Sequence, residues 1–323
     1  MSTPDPSTPL GNPLPIGHQL HEFVIDGLIG EGGFGIVYLA RDTQLERTVA
    51  IKEYMPASLA SRSSDFSVQV RSERHRETFE LGMRSFINEA RLLASFDHPA
   101  LVKVYRFWEA NGTAYMVMPL IVGKTLKQKR LDKAQPALAL WSEARIRQVL
   151  DPLIDALERM HQKNCLHRDV SPDNILIQDE GGAPVLLDFG AARRTLQAAG
   201  QAFTVILKAG YAPVEQYAEN EQHHQGPWTD VYALCSVVYF LLRGKAPDSA
   251  LNRLMQDTLT PLAEDPELAL RYSGAFLQAM DLGLAVQPQA RLQNMNELRQ
   301  ALAGKTAFAQ LMDQLPGATP GPR

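Results

Sequence analysis

The chain has 323 residues, 45% hydrophobic and 21% charged, with a formal net charge of −4. That supports one large or two medium domains with a true core, and the slight acidic balance argues against a nucleic-acid binder, which shows a basic excess. The two cysteines, Cys165 and Cys235, lie in apolar surroundings, which argues against a disulfide framework or zinc site and for a reducing cytoplasm.

Taken in order, residues 1–17 are rich in Pro, Ser and Thr, with no apolar run of the signal-peptide kind, and are expected to be a disordered leader. Order is expected from near His21. Short β-branched strands follow: "FVIDGLIG", "GIVYLARD", "TVAIKEY", "LVKVYRFWEA" and "TAYMVMPL", with one helix around Met83–Phe96. Residues 56–80 make a long, polar connection. The basic run Lys124–Lys133 reads first as a solvated helix face, with a docking patch as the alternative. Helices are expected over Trp141–His161, Asp230–Leu242, Tyr272–Val286 and Asn296–Ala303, and two strands, "ILIQD" and "PVLLD", flank Gly181–Gly182. The longest apolar run, Val231–Leu242, is too short to cross a bilayer and reads as a buried helix. Residues 305–323 read as a loose tail. Strands first and helices after imply an α+β protein of two lobes.

Four stretches carry chemistry. In "GEGGFGIVYLA" the glycines Gly30, Gly32 and Gly35 are followed by a strand-like run. That favours a glycine-rich hairpin whose bare backbone can lie over phosphates, although an ordinary tight hairpin has the same spacing. "VAIK" then places Lys52 on a strand, where it can reach phosphates if a carboxylate holds it; Glu89 is the candidate, because Glu89, Leu92, Leu93 and Phe96 fall on one helix face. In "HRDVSPDN", Asp169 can accept or orient the proton of an attacking hydroxyl, and Asn174 can ligand magnesium. In "VLLDFG", fourteen residues after Asn174, Asp188 can hold magnesium against phosphates. A metal carboxylate, an amide ligand and a cation are the parts that phosphoryl transfer needs.

Together these motifs resemble the eukaryotic-like protein serine/threonine kinases of bacteria, over about His21–Ala303. The resemblance implies a two-lobed kinase fold, with a kinase domain over 18–304 split into lobes 18–120 and 121–304. It implies a nucleotide site of Gly30, Gly32, Gly33, Gly35, Val37, Ala50, Lys52, Met118, Pro119, Ile121 and Leu176, with Met118 as gatekeeper and metal ligands Asn174 and Asp188. It further implies an anchoring carboxylate, Glu215 in "GYAPVEQY", with Arg291 as its buried partner, and Asp230 in "WTDVYALC" as a brace for the catalytic loop. Thr204 matches the position of an activating phosphorylation site. ATP and Mg2+ (Mn2+ as the alternative ion) are the implied cofactors. Proteins with Ser/Thr acceptors are the implied partners, without nucleic acid or a membrane segment, with a transient dimer for trans-autophosphorylation in the cytoplasm.

Departures from that pattern matter. Pro119 stands where the hinge usually has an acidic residue; it lacks an N–H but keeps its carbonyl. Cys235 replaces a usual glycine, read here as packing. Lys52 and Glu89 are 37 residues apart, longer than typical, so residues 56–80 are a candidate regulatory element beside the helix of Glu89, or a passive excursion. Ser171 stands where the family has a catalytic-loop lysine. Lys208 stands where the family has the threonine facing that lysine. The two parts are present with their places exchanged, and Lys208 is expected to supply the missing cation. The alternatives are a pseudokinase scaffold and a kinase-like phosphotransferase acting on a small molecule.

Overall fold

Alternation of apolar residues fixes the first half of the chain. The computed structural model describes residues 12–132, 141–188, 207–217 and 224–305, and these divide into two compact units between Ile121 and Val122. In the first unit a six-stranded antiparallel sheet runs β1–β2–β3–β4–β8–β7. Its members are β1 (Gln19–Leu20), β2 (Phe23–Gly32), β3 (Gly35–Asp42), β4 (Arg47–Tyr54), β7 (Arg106–Ala110) and β8 (Thr113–Pro119). Cross-strand partners point to the same face. The register Tyr38↔Ile51↔Val117 therefore puts Ile36, Tyr38, Val49, Ile51, Glu53, Tyr115 and Val117 on one face, and Lys52, Tyr54, Met116 and Met118 on the other.

Both faces are covered. Helix α1 (Arg76–Ala94) lies on the Lys52 face, where the Tyr54 ring meets Phe79 and Phe86 and its hydroxyl donates to the Phe79 carbonyl at 3.1 Å. The opposite face is closed by a two-stranded hairpin, β5 (Ala60–Arg62) and β6 (Val68–Val70), together with the segment from residue 12 onward. Two expectations are corrected here. Residues 12–17, read as part of a disordered leader, hold a buried Leu14 whose N–H donates to the Tyr38 hydroxyl. The helix starts at Arg76 rather than Met83, because Glu73–His75 forms a single turn of 3₁₀-helix that feeds it. In addition, "LVKVY" is not a strand but holds an isolated bridge at Leu101, and β7 begins at Arg106.

The second unit is mainly helical. A small sheet, β9 (Gly123–Thr125), β10 (Ile175–Gln178) and β11 (Pro184–Leu186), carries the hairpin through Gly181–Gly182. The helices are α2 (Leu126–Leu131), α3 (Glu143–Gln162), α4 (Pro227–Arg243), α5 (Ala250–Met255), α6 (Pro266–Ala269), α7 (Gly274–Gly283) and α8 (Met295–Leu302). Ser142 caps α3, and Ile146, Val149, Leu150, Leu153, Leu157 and Met160 give it one buried stripe. Helix α4 is apolar all round and buried along nearly its whole length, as its composition requires. No helix among the described residues is long and apolar enough to cross a membrane. In the basic run Lys124, Lys127 and Lys129 pair with Asp132, Asp173 and Asp179, while Arg130 donates to the Leu241 carbonyl; Lys133 lies outside the described residues. The rest of the leader, most of the tail, Phe189, Gly190 and Thr204 lie outside the described residues.

Candidate active site

In the first unit, Gly30, Gly32 and Gly33 line the β2–β3 turn. A Cβ on Gly30 or Gly33 would meet nothing within 4 Å, so the space above that backbone is open. Gly35 differs, since its Cβ would run into the carbonyl oxygen of Glu53 and only glycine lets β3 cross β4 there. Val37 and Ala50 sit on β3 and β4 beside Lys52. The Lys52 Nζ is 3.7 Å from Glu89 Oε1 and 5.8 Å above the Phe86 ring, so α1 delivers a buried carboxylate to the strand lysine. Met118 is buried and Pro119 ends β8, where the loss of its N–H breaks no further pairing; Ile121 follows.

In the second unit one loop brings the remaining groups together. Asp230, fully buried in α4, accepts from the backbone N–H of His167 at 2.9 Å, from that of Arg168 at 2.7 Å, and pairs with His161 Nε2 at 2.7 Å. Burial opposes its charge, but these donors outweigh burial and hold the carboxyl below its ordinary range. Gln216 donates to the Arg168 carbonyl, fastening the next peptide of the same loop. Arg168 has φ 64° and Asp188 φ 39°, left-handed conformations that non-glycine residues adopt at a cost, here on both sides of the site.

The loop presents Asp169 between two neighbours. Asn174 Nδ2 donates to Asp169 Oδ2 at 2.9 Å and to its carbonyl at 2.8 Å. The amide hydrogens of Asn174 are therefore turned toward Asp169, and its oxygen is what it can offer a cation. Asp188 follows Leu187, whose N–H donates to the Asn174 carbonyl, so a carboxylate and an amide oxygen belong to adjacent backbone. Two hard oxygen donors fit an ion that completes its shell with phosphates and water. Leu176 lies on β10 next to this loop. The Lys208 Nζ donates to Ser171 Oγ at 2.6 Å and stands 3.5 Å from Asp169 Oδ1. Its own carbonyl accepts from Tyr211 and Ala212, which roots it in a tight turn. Below, Arg291 pairs with Glu215 (Nη1 to Oε1, 2.7 Å), both fully buried, with Thr229 Oγ1 on the same carboxylate.

A family model described as protein kinase domain matches residues 23–302. The chain belongs to the protein kinase family. Its relatives are bacterial serine/threonine-protein kinases. PknA of Nostoc sp. is 28% identical over 284 residues, covering 85% of this chain and 45% of that protein. PknL of Mycobacterium tuberculosis is 33% identical over 235 residues, covering 71% of this chain and 52% of PknL. The chain thus spans about half the length of the curated relatives it matches. Among solved structures, the one titled "PpkA-294 apo form" is 48% identical with a TM-score of 0.82, covering 90% of this chain and 100% of that one. The Mycobacterium tuberculosis PknI kinase domain, 20% identical with a TM-score of 0.62 over 92% of this chain and 100% of its own, shares the fold.

Against this kinase frame, sequence reasoning missed two functional contacts. His161 sits on the brace Asp230. Glu53, directly after Lys52, is a buried carboxylate paired with Arg62. The second was readable: in "TVAIKEY" the alternation puts Glu53 on the same apolar face as Val49 and Ile51, where an acid needs a partner.

Proposed function

We propose that this chain, with residues 18–304 as its catalytic domain, transfers the γ-phosphate of ATP to serine and threonine hydroxyls of proteins, itself included. The observation that carries this reading is the Asp169 carboxylate, held by Asn174 on one oxygen and faced by the Lys208 ammonium at the other. Ser171 is the feature that favours a pseudokinase scaffold, and the ammonium bonded to its hydroxyl answers it.

Bound Mg2+, or Mn2+, would neutralise charge on the nucleotide phosphates. The open backbone of Gly30–Gly33 would donate N–H groups to those phosphates, and Lys52, held by Glu89, would add a fixed positive charge. Asp188 and Asn174 Oδ1 are the oxygen donors for the ion. Asp169 accepts or orients the proton of the attacking hydroxyl. Lys208 stabilises negative charge growing beside that hydroxyl, with Ser171 steering its ammonium. Met118, Pro119 and Ile121 would line the base.

Incubating the chain with Mg·ATP and reading intact mass tests this. Stepwise addition of phosphate is expected, on serine and threonine, and Asp188→Asn should lose it by orders of magnitude because a metal ligand is gone beside a polyanion. Equal phosphate on wild type and Asp188→Asn would falsify the assignment.

A further inference from the structure

The hairpin β5–β6 sits on the face of the sheet opposite α1, and one side chain fastens it there. The Arg62 guanidinium, with no exposed surface, donates to Glu53 Oε2 at 2.5 Å, to the Asn12 carbonyl at 2.5 Å, to the Phe66 carbonyl at 2.9 Å and to the Tyr38 hydroxyl at 3.4 Å. Tyr38 in turn donates to the same Glu53 oxygen at 2.6 Å and accepts from the Leu14 N–H at 3.0 Å. One arginine thus joins three segments: the chain at residues 12–14, the hairpin, and β4. The β4 residue it holds is the direct neighbour of Lys52.

This matters for Lys52 because the strand alternates. Glu53 points to the outer face and Lys52 to the α1 face. Without Arg62, Glu53 is a buried carboxylate lacking its cation, and its cheapest relief is to move outward to water. Consecutive Cα atoms are about 3.8 Å apart and cannot separate, so the peptide that moves outward withdraws Lys52 from α1. The Lys52–Glu89 separation of 3.7 Å leaves little slack. The hairpin also leads through residues 73–75 directly into α1, so the same fastening acts at both ends of the ion pair.

We infer that Arg62 is a positioning residue for the Lys52–Glu89 pair, tying residues 12–14 and the β5–β6 hairpin to the strand that carries Lys52. As a statement about phosphate binding it rests on the function proposed above. The outer layer is then a handle on the ion pair, since a displacement of the segment at residue 12 reaches Lys52 through Arg62 and Glu53.

Three variants of this 323-residue chain test it: Arg62→Met, Lys52→Met and the double Arg62→Met/Glu53→Leu, which removes both buried charges and keeps the fold if the single variant unfolds. Hydrogen–deuterium exchange does not depend on whether the protein transfers phosphate. In Arg62→Met, exchange should accelerate in residues 12–25, in β4 and in the turn of α1 around Glu89, with α3 and α4 unchanged; in the double variant, which has no stranded carboxylate to draw β4 outward, β4 and that turn should return toward wild type. Acceleration confined to 12–25 and 60–70 in Arg62→Met, or acceleration of β4 in the double variant, overturns the proposal. Binding of Mg·ATP, followed by calorimetry, should weaken about 10-fold or more in Arg62→Met and recover in the double variant. Adding Arg62→Met to Lys52→Met should weaken it no further, because the arginine acts through the lysine. Additive losses, or wild-type affinity of Arg62→Met with a lowered Tm alone, also overturn it. If wild type binds no Mg·ATP, the proposed function fails and the exchange pattern still decides the fastening.

Discussion

Asp230 is the residue on which the catalytic loop hangs, and it makes a sharp case for charge over shape. An asparagine there keeps the size but offers one acceptor oxygen where two are used, so one buried backbone N–H of His167 or Arg168 loses its partner. Asp230→Asn should lower kcat about 10- to 100-fold through a loosened Asp169, read in steady-state kinetics. The pH dependence has a definite sign. A carboxyl whose folded pKa lies below its ordinary value stabilises above that value, and this stability fades as pH falls through the folded pKa. The stability gap between wild type and Asp230→Asn, from urea titrations, should therefore be full at neutral pH and shrink below about pH 4. A gap that does not change with pH would mean the charge is not what Asp230 contributes. At this scale much was legible. Lys52, Glu89, Asp169, Asn174 and Asp188 each follow from a short motif whose chemistry needs that residue type. Lys208 was legible only by counting from Tyr211, because no local pattern links positions 171 and 208. Arg62 was not read at all, since nothing near "ASR" shows that its partner lies on another strand.

Helices α4 and α7 show how elements record a departure from the family. Cys235, where glycine was expected, is fully buried, and its sulfur occupies the space over Gly283, where an added Cβ would collide with it. At this contact the larger side chain stands on α4 and the glycine on α7. Burial pushes the thiol up to about 12, so it packs as an apolar group rather than a reactive one. Gly283→Ala should cost about 1–3 kcal/mol of stability by overpacking, and Cys235→Gly should recover part of that loss in the double variant. Independent, additive losses in denaturant titrations would contradict this packing. A second element-scale test concerns the anchor below the loop. Arg291 gives every donor group a partner, in Glu215 and the carbonyls of Trp228, Ala285 and Val286. Arg291→Met strands a buried carboxylate and should cost about 3–5 kcal/mol; a loss below about 1 kcal/mol, the scale of an exposed pair, would refute that account. Periodicity placed α3, α4 and the β10–β11 hairpin closely. It missed the first turns of α1, where the buried stripe runs through Thr78, Phe79 and Gly82 and so holds only one large apolar residue before Phe86, and it failed at residues 12–17, whose composition resembles a linker although Leu14 is buried.

At the scale of the whole molecule, the first unit carries the open glycine turn and the Lys52–Glu89 pair, and the second carries Asp169, Asn174, Asp188 and, in Lys208, the ammonium that position 171 lacks. The central claim is that Lys208 supplies the ammonium that Ser171 does not. The direct measurement is kcat for γ-phosphate transfer to a serine peptide by wild type, Lys208→Met, and the place-exchanged variant Ser171→Lys/Lys208→Thr. Lys208→Met should lower kcat by about 10- to 1,000-fold, the range for removal of one charge stabiliser, and the place-exchanged variant should regain part of it. An unchanged kcat in Lys208→Met, or a change in peptide preference alone, would contradict the account.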